Sequence, residues 1–293
     1  RTLLKSLAAL PLVVGSGPAL AAVSNRYDNR FKLSLNVFSF NRLLRDGAID
    51  LFDVLEFCAE HDFEAIDPTG YYFPGYPEVP PDAYINTFKR QAFLLGLDIS
   101  GTGIRNDFVS PDPDKRAADL RLVKQWIEAA SKLGSPNLRI FTGKSEHPGH
   151  SREQVFEWMA EDIRTCCTYG EQHGVVIALQ NHNEFLKTAA DVDYLFDLVD
   201  SEWLGLNLDI GSYRAGDPYA EIERNVPRAV TWQIKENVWI DGVQTPTDLE
   251  RLAGIIRTHG YRGYLPIETL GPGDPYVKVP ALIVRAREAG LFK

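Results

Sequence analysis

An alternation of strand and helix signals, repeated eight times, predicts an α/β fold: a single-domain (β/α)8 TIM barrel. Three observations carry that reading. After residue 30 the chain runs strand, helix, strand, helix with short turns and no low-complexity linker. Parallel strands need crossover helices, and right-handed crossovers curl a sheet until it closes. In the last third, the apolar runs VVIALQNHN (175–183), LGLNLDIG (204–211), VTWQIKEN (230–237) and YLPIETLG (264–271) carry Gln180, Asp209, Gln233 and Glu268. These residues stand 29, 24 and 35 positions apart, room for one strand, one helix and two turns. The competing open doubly wound sheet wants a glycine-rich phosphate loop after an early strand, and neither GxGxxG nor GxxxxGK[ST] is present.

The first 22 residues stand apart from the rest. RTLLKSLAALPLVVGSGPALAA has Arg1 and Lys5, then an apolar stretch, then Ala19-Leu20-Ala21 before Ala22, the pattern of a secretory signal with its cleavage site. Arg1-Thr-Leu-Leu-Lys resembles the second half of a twin-arginine export signal, the first arginine being expected before the start of this sequence. Pro11, Gly15, Gly17 and Pro18 break the apolar run, which makes a poor spanning helix. Membrane contact is therefore expected only during export, and the mature protein is expected to be periplasmic or secreted.

The barrel is expected over residues 31–290. Its strands are short apolar runs bounded by turn residues: 32–38 (KLSLNVF), 63–67 (FEAID), 97–101 (LDISG), 137–142 (NLRIFT), 175–180, 204–209, 229–234 and 264–268. The helices are expected at 50–61, 81–96, 113–133, 152–173, 187–200, 218–226, 246–259 and 276–290. Start signals include Ser151 ahead of Glu153 and Asp191 ahead of Tyr194-Leu195, and Gly134, Gly174, Gly260 and Gly290 follow helices where a left-handed cap is expected. Cys58, Cys166 and Cys167 all fall in helical segments, an odd count that builds no disulfide framework, so they are expected to be buried packing residues.

Bulk properties narrow the partners. The five Trp, twelve Tyr and fifteen Phe supply a large core, and one barrel of roughly 250 residues accounts for the length. The formal net charge is −9, with no basic run long enough to track a phosphate backbone, so nucleic acid is not an expected partner. The oligomeric state is left open.

Strands alternate their side chains with period two, and the C-terminal strand ends of a barrel converge on one rim. Gln180 shares a parity with His182, as Gln233 does with Lys235, and Asn36 lies near the end of the first strand. One such residue is most often a loop-bonding side chain; four at successive strand ends point to a site. Lys235 is expected to point inward and to need a partner, since a charge in a barrel mouth is poorly solvated. His147 and His150, after the fourth strand, and Arg214 and Asp217, after the sixth, open on the same rim as candidate substrate contacts. Tyr71, Tyr72, Phe73 and Tyr76 offer an apolar wall on which a sugar can stack, loop packing being the alternative.

The chain resembles the sugar phosphate isomerase/epimerase superfamily, with its xylose-isomerase-like TIM barrel, over roughly 31–290. The family's fifth strand usually ends in a glutamate followed by Asn-His, here Gln180-Asn181-His182; its sixth ends in Asp-x-Gly-His, here Asp209-Ile-Gly-Ser212. Its seventh carries His-x-Lys-Asp, here Gln233-Ile-Lys235-Glu236, and its eighth ends in a glutamate, here Glu268. LSLNVFSFN (33–41) and Leu138-Arg139-Ile-Phe add to the likeness.

The resemblance implies a divalent metal at Gln180, Asp209, Gln233 and Glu268, Mg²⁺ or Mn²⁺ suiting the amide oxygens. The candidate substrate contacts are Asn36, Arg139, His147, Arg214 and Glu236, and His147 or His150 could also replace the missing imidazole. One carboxylate and one imidazole of the family's ligand set are amides here, Gln180 and Gln233, and Gln180 cannot take a proton. One-base chemistry is therefore expected, with Glu268 as base and His182, Lys235 or Glu236 as acid: isomerisation, epimerisation or β-elimination on a sugar or oxidised sugar derivative. The alternative is a carbohydrate-binding barrel without catalysis. A metal-dependent nuclease of the same barrel type is disfavoured by the missing histidines and the acidic charge.

Overall fold

The computed structural model describes residues 31–143 and 149–292; the expected export segment over 1–22 and His147 lie outside the described residues. The strands are β1 (Lys32–Asn36), β2 (Ala65–Asp67), β3 (Asp98–Ile99), β4 (Thr102–Gly103), β5 (Asn137–Ile140), β6 (Val176–Gln180), β7 (Leu204–Asp209), β8 (Ala229–Lys235), β9 (Asn237–Ile240), β10 (Val243–Pro246) and β11 (Tyr264–Glu268). Nine of them form one parallel sheet in the order β3-β2-β1-β11-β8-β7-β6-β5-β4. The two ends of that order are consecutive in the chain, separated only by Ser100 and Gly101, so they are halves of one interrupted strand. A parallel bridge between Thr69 and Gly103 completes the ring. The (β/α)8 barrel read from the sequence is the fold found, with its third strand split.

The interruption has a local cause. Asn137 of β5 donates to the Ser100 carbonyl at 3.0 Å, and a Cβ on Gly101 would come within 2.9 Å of the Asn137 side chain. A side chain from the neighbouring strand thus takes the place of a ladder partner, and only glycine leaves room for it.

The helices pack outside the barrel, and the longest follows its sequence signals closely. Ser151 and Gln154 form a capping box ahead of Arg152–His173, which ends at Gly174 with φ 68°. Val155, Met159, Ile163 and Cys167, four residues apart, fall on its buried face. That spacing keeps one stripe against the sheet. Each fully buried side chain of this kind contributes roughly 1.5–3 kcal/mol. Cys58, Cys166 and Cys167 are free and buried, as expected. The helix expected from 187 begins instead at Ala189, because Thr188 is its N-cap and Asp191 closes the capping box from inside.

One element was not expected. β9 and β10 form an antiparallel hairpin directly after β8, turning at Asp241 and Gly242, both with positive φ. Asp-Gly between extended segments is a strong hairpin signal.

Candidate functional site

The site is built at the C-terminal ends of β6, β7, β8 and β11, and strand register assembles it. Asp209 pairs in register with Gln233, and Glu268 with Lys235. Because β8 lies between β7 and β11, Lys235 can reach both carboxylates. Its ammonium donates to Asp209 Oδ2 at 2.7 Å and lies 3.0 Å from Glu268 Oε2. All three groups are buried.

Gln180 completes the cluster. Its Nε2 donates to Asp209 Oδ2 and to Gln233 Oε1, each at 2.8 Å. An ionised carboxylate only accepts hydrogen bonds, so Asp209 fixes which end of the Gln180 amide faces it. Gln180 Oε1 is left buried with no partner. Asn181 secures the strand end through the Asp209 backbone, accepting from its N–H at 2.7 Å and donating to its carbonyl at 3.1 Å. The Gly211 N–H donates to Asp209 Oδ1 at 2.9 Å; a Cβ on Gly211 would meet Lys235 Cδ at 2.9 Å.

Charge and burial oppose one another here. Burial alone would raise the Asp209 pKa, but Lys235 overrides it and holds the carboxyl below its ordinary value. Burial raises Glu268, Lys235 opposes this only in part, and Asp209 adds to the rise. Burial would depress Lys235, yet Asp209 and Glu268 together hold it above its ordinary value.

The other half of the rim carries a second buried ion pair. Arg139 on β5 donates to Asp67 Oδ2 at 2.7 Å and to Thr69 Oγ1 at 3.3 Å, and both charged side chains are only 2% exposed. Asn36 donates to the same Asp67 oxygen at 3.2 Å. Gly103 makes the arrangement possible, since a Cβ there would lie 2.8–2.9 Å from three Arg139 atoms. A pocket of about 260 Å³ opens between the two halves, with Arg139, Gln180, His182, Gln233, Lys235 and Glu268 in its wall.

The expected residues divide accordingly. Gln180, Asp209, Gln233, Lys235 and Glu268 converge, and His182 lies at the pocket edge, its ring edge-on to Phe141 at 5.6 Å and 3.4 Å from Glu184. Asn36 sits behind Arg139 as a support and does not line the pocket. Arg214 lies outside the pocket wall, its guanidinium over the Trp239 ring at 4.9 Å. Glu236 also lies outside that wall, paired with Lys278 at 3.2 Å. Asp217 caps the helix Pro218–Asn225 and pairs with Arg251, while His150 packs edge-on against Trp158 at 5.2 Å. Of the four aromatic residues after β2, Tyr71 lines the pocket.

Sequence reasoning missed Arg105, Asn106, Phe38 and Phe141 in the wall. It also missed Asp67, although an aspartate ending an apolar strand is the same signal that singled out Asp209. Arg105 lies over the Tyr71 ring at 5.0 Å.

A family model described as xylose isomerase-like TIM barrel matches residues 55–287. The chain belongs to this family. No curated protein matches it in sequence. Among solved structures, D-psicose 3-epimerase from Clostridium cellulolyticum H10, crystallised with D-tagatose, aligns with TM-score 0.73 and 15% identity, covering 90% of this chain and all (100%) of that one. The 3-keto-D-glucoside 4-epimerase of E. coli aligns with TM-score 0.70 and 14% identity, over 88% of this chain and 100% of its own. The IolI protein, whose structure holds a zinc atom, aligns with TM-score 0.69 and 16% identity over 89% of this chain and 97% of that one. At these identities the likeness is one of fold.

The donors of this xylose isomerase-like barrel do not fit a divalent ion as they are disposed. Among the described residues no three His, Cys, Asp or Glu side chains converge on a point where a metal could sit. The Asp209 oxygen facing the cluster already accepts from Lys235 and Gln180. Glu268 is held by the same ammonium, and Gln180 presents nitrogen, which is no ligand for a hard cation.

Proposed function

We propose that this chain is a sugar isomerase, epimerase or lyase working by one-base chemistry on a ketose or an oxidised sugar. The observation that carries the reading is the Glu268–Lys235 pair, buried at the barrel mouth and part of the pocket wall. Glu268 takes the proton from the carbon beside the substrate carbonyl. The electron pair moves onto the carbonyl oxygen, giving an enediolate. Lys235 has three N–H donors, two of them engaged by Asp209 and Glu268, and the third stabilises that oxygen. For isomerisation, Lys235 gives a proton to the enediolate oxygen and takes the hydroxyl proton of the first carbon, while Glu268 returns its proton to the neighbouring carbon; for β-elimination, the electron pair returns from the oxygen and Glu268 delivers its proton to the group leaving one carbon further. A proton acceptor with a raised pKa suits work near neutral pH.

Two of the structural relatives are, by name, epimerases of sugars, one of them acting on a 3-keto sugar beside its carbonyl carbon. Gln180 stands where a second base would be needed for proton exchange on opposite faces, which favours isomerisation or elimination over two-base epimerisation. A divalent ion polarising the carbonyl, the finer expectation from sequence, has no role in this scheme. The export segment read at 1–22 accords with an unphosphorylated substrate met in the periplasm or outside the cell.

Solvent exchange tests the proposal. In D₂O, a panel of ketoses, keto-glycosides and uronates is followed by proton NMR for deuterium entering beside the carbonyl. Wild type is expected to label at least one of them, and Glu268→Gln to slow that labelling by about 10²–10⁴-fold. Labelling that survives Glu268→Gln removes Glu268 as the base. The Lys235–Asp209–Glu268 cluster, whose charges are largely paired with one another, also accords with a binding barrel, whose signature is saturable sugar binding with no labelling.

A further inference from the structure

We infer that Lys235 is the site's built-in cation, standing where family resemblance implies a divalent metal, so that the site functions without one. Four contacts carry this. The ammonium bridges Asp209 and Glu268 at 2.7 and 3.0 Å, while Gln180 Nε2 bridges Asp209 and Gln233 at 2.8 Å each. A glutamate in place of Gln180 would set a carboxylate oxygen about 2.8 Å from Asp209 Oδ2, a repulsion relieved only by a cation or a shared proton between them. The amide turns that repulsion into a hydrogen bond. Gln233 does the complementary thing: its carbonyl accepts the second Gln180 proton, so the Gln180 NH₂ group is fully engaged by one amide and one carboxylate.

The charge balance agrees. Asp209, Glu268 and Lys235 sum to one negative charge, which needs no further dication. A divalent ion would have to compete with the ammonium for these two carboxylates; the family pattern, which carries a lysine at this position too, adds a glutamate and a histidine where this chain has Gln180 and Gln233. The two amides and the lysine therefore act as one device, each making the others workable. Gln180 Oε1, buried without a partner, and the third Lys235 proton are then left for substrate oxygens. Only this last role of Lys235 rests on the proposed sugar chemistry; the exclusion of metal does not.

The test uses the metal alone. Wild-type protein is dialysed against EDTA and titrated with Mn²⁺ and with Zn²⁺ by calorimetry, alongside thermal melts. The expected result is no saturable heat and a midpoint unchanged to within about 1 °C in millimolar Mn²⁺. One-site binding that disappears in Asp209→Asn overturns the inference. The second arm is the Lys235→Met, Gln180→Glu double variant, which removes the ammonium and restores the carboxylate. If folded by circular dichroism, it is expected to bind Mn²⁺, with a midpoint raised by roughly 5–10 °C at a hundredfold excess over Kd. A folded double variant that binds no metal also overturns the inference, since the ammonium would not then mark the ion's place; if it does not fold, the wild-type titration decides alone. Absence of turnover on every sugar would sink the proposed function and leave these binding results standing.

Discussion

Lys235→Met is the most informative single substitution, because methionine keeps the length of the stem and deletes only the charge. In the folded protein it leaves Asp209 and Glu268, 1% and 4% exposed, without their shared counter-ion. Asp209 keeps Gln180 and the Gly211 N–H; Glu268 loses the partner that offsets its burial. Removing one member of a buried ion pair typically costs about 3–5 kcal/mol. At about 2–4 °C per kcal/mol in a domain of this size, the midpoint should fall by roughly 6–20 °C at pH 8.

The pH dependence separates this cause from a packing defect. In wild type the Asp209 pKa is held below its ordinary 3.8, so its contribution is present above that value and is lost as pH falls through the folded one. Lys235 is held above its ordinary 10.5, so its contribution is complete below 10.5 and is lost as pH rises through the raised value. Glu268, raised from 4.5, contributes in full only below that ordinary value and loses its contribution as pH rises through the folded one. Without Lys235 its carboxyl rises further, so the variant should be closest to wild type near pH 5 and fall away towards pH 8. Its alkaline limb from Lys235 should vanish. Melts across pH 4 to 11 check both. A midpoint within about 2 °C of wild type at pH 8 would mean that the ammonium does not neutralise these carboxylates, and the electrostatic account of the site would fail.

Three further substitutions probe the surroundings. Asp67→Asn strips the carboxylate from Arg139, which is 2% exposed, and should lower stability by about 3–5 kcal/mol, read as a drop in urea midpoint with unchanged slope. Gly103→Ala places a Cβ 2.9 Å from Arg139 Cβ and should cost about 1–3 kcal/mol by overpacking, checked by the same unfolding curve. Arg214→Ala, whose guanidinium lies over Trp239 outside the pocket wall, should leave kcat/KM for any substrate found within about twofold of wild type.

The contrast between Lys235 and Arg214 explains how much of the site could be read in advance. Gln180, Asp209, Gln233, Lys235 and Glu268 were legible because period-two alternation and the shared polarity of barrel strands fix where a strand-end side chain goes, whatever the loops do. Arg214 and Glu236 lie just beyond strand ends, where the partner decides. Trp239 arrives on a hairpin that the Asp241-Gly242 turn announces, and Lys278 comes from the helix Pro275–Glu288, far along the chain. Arg105 and Asn106 follow a strand split by a neighbour's asparagine, so the segment carrying them gave too weak a signal to place them on the rim.

Partner identity also explains why the same five residues could be placed but not assigned their chemistry. Position on a strand determines that two carboxylates, two amides and an ammonium meet; it does not determine whether the ammonium points at the carboxylates or away from them. Glu268 pairs in register with Lys235 on one side, and Asp209 with Gln233 on the other. The lysine, two residues beyond Gln233 on the same strand face, therefore overhangs the gap between them. A shorter or uncharged side chain at 235 would leave that gap to whatever cation solution supplied. With lysine there, the amides at 180 and 233 cease to be lost ligands and become the hydrogen-bond donor and acceptor that a permanently bound monocation requires.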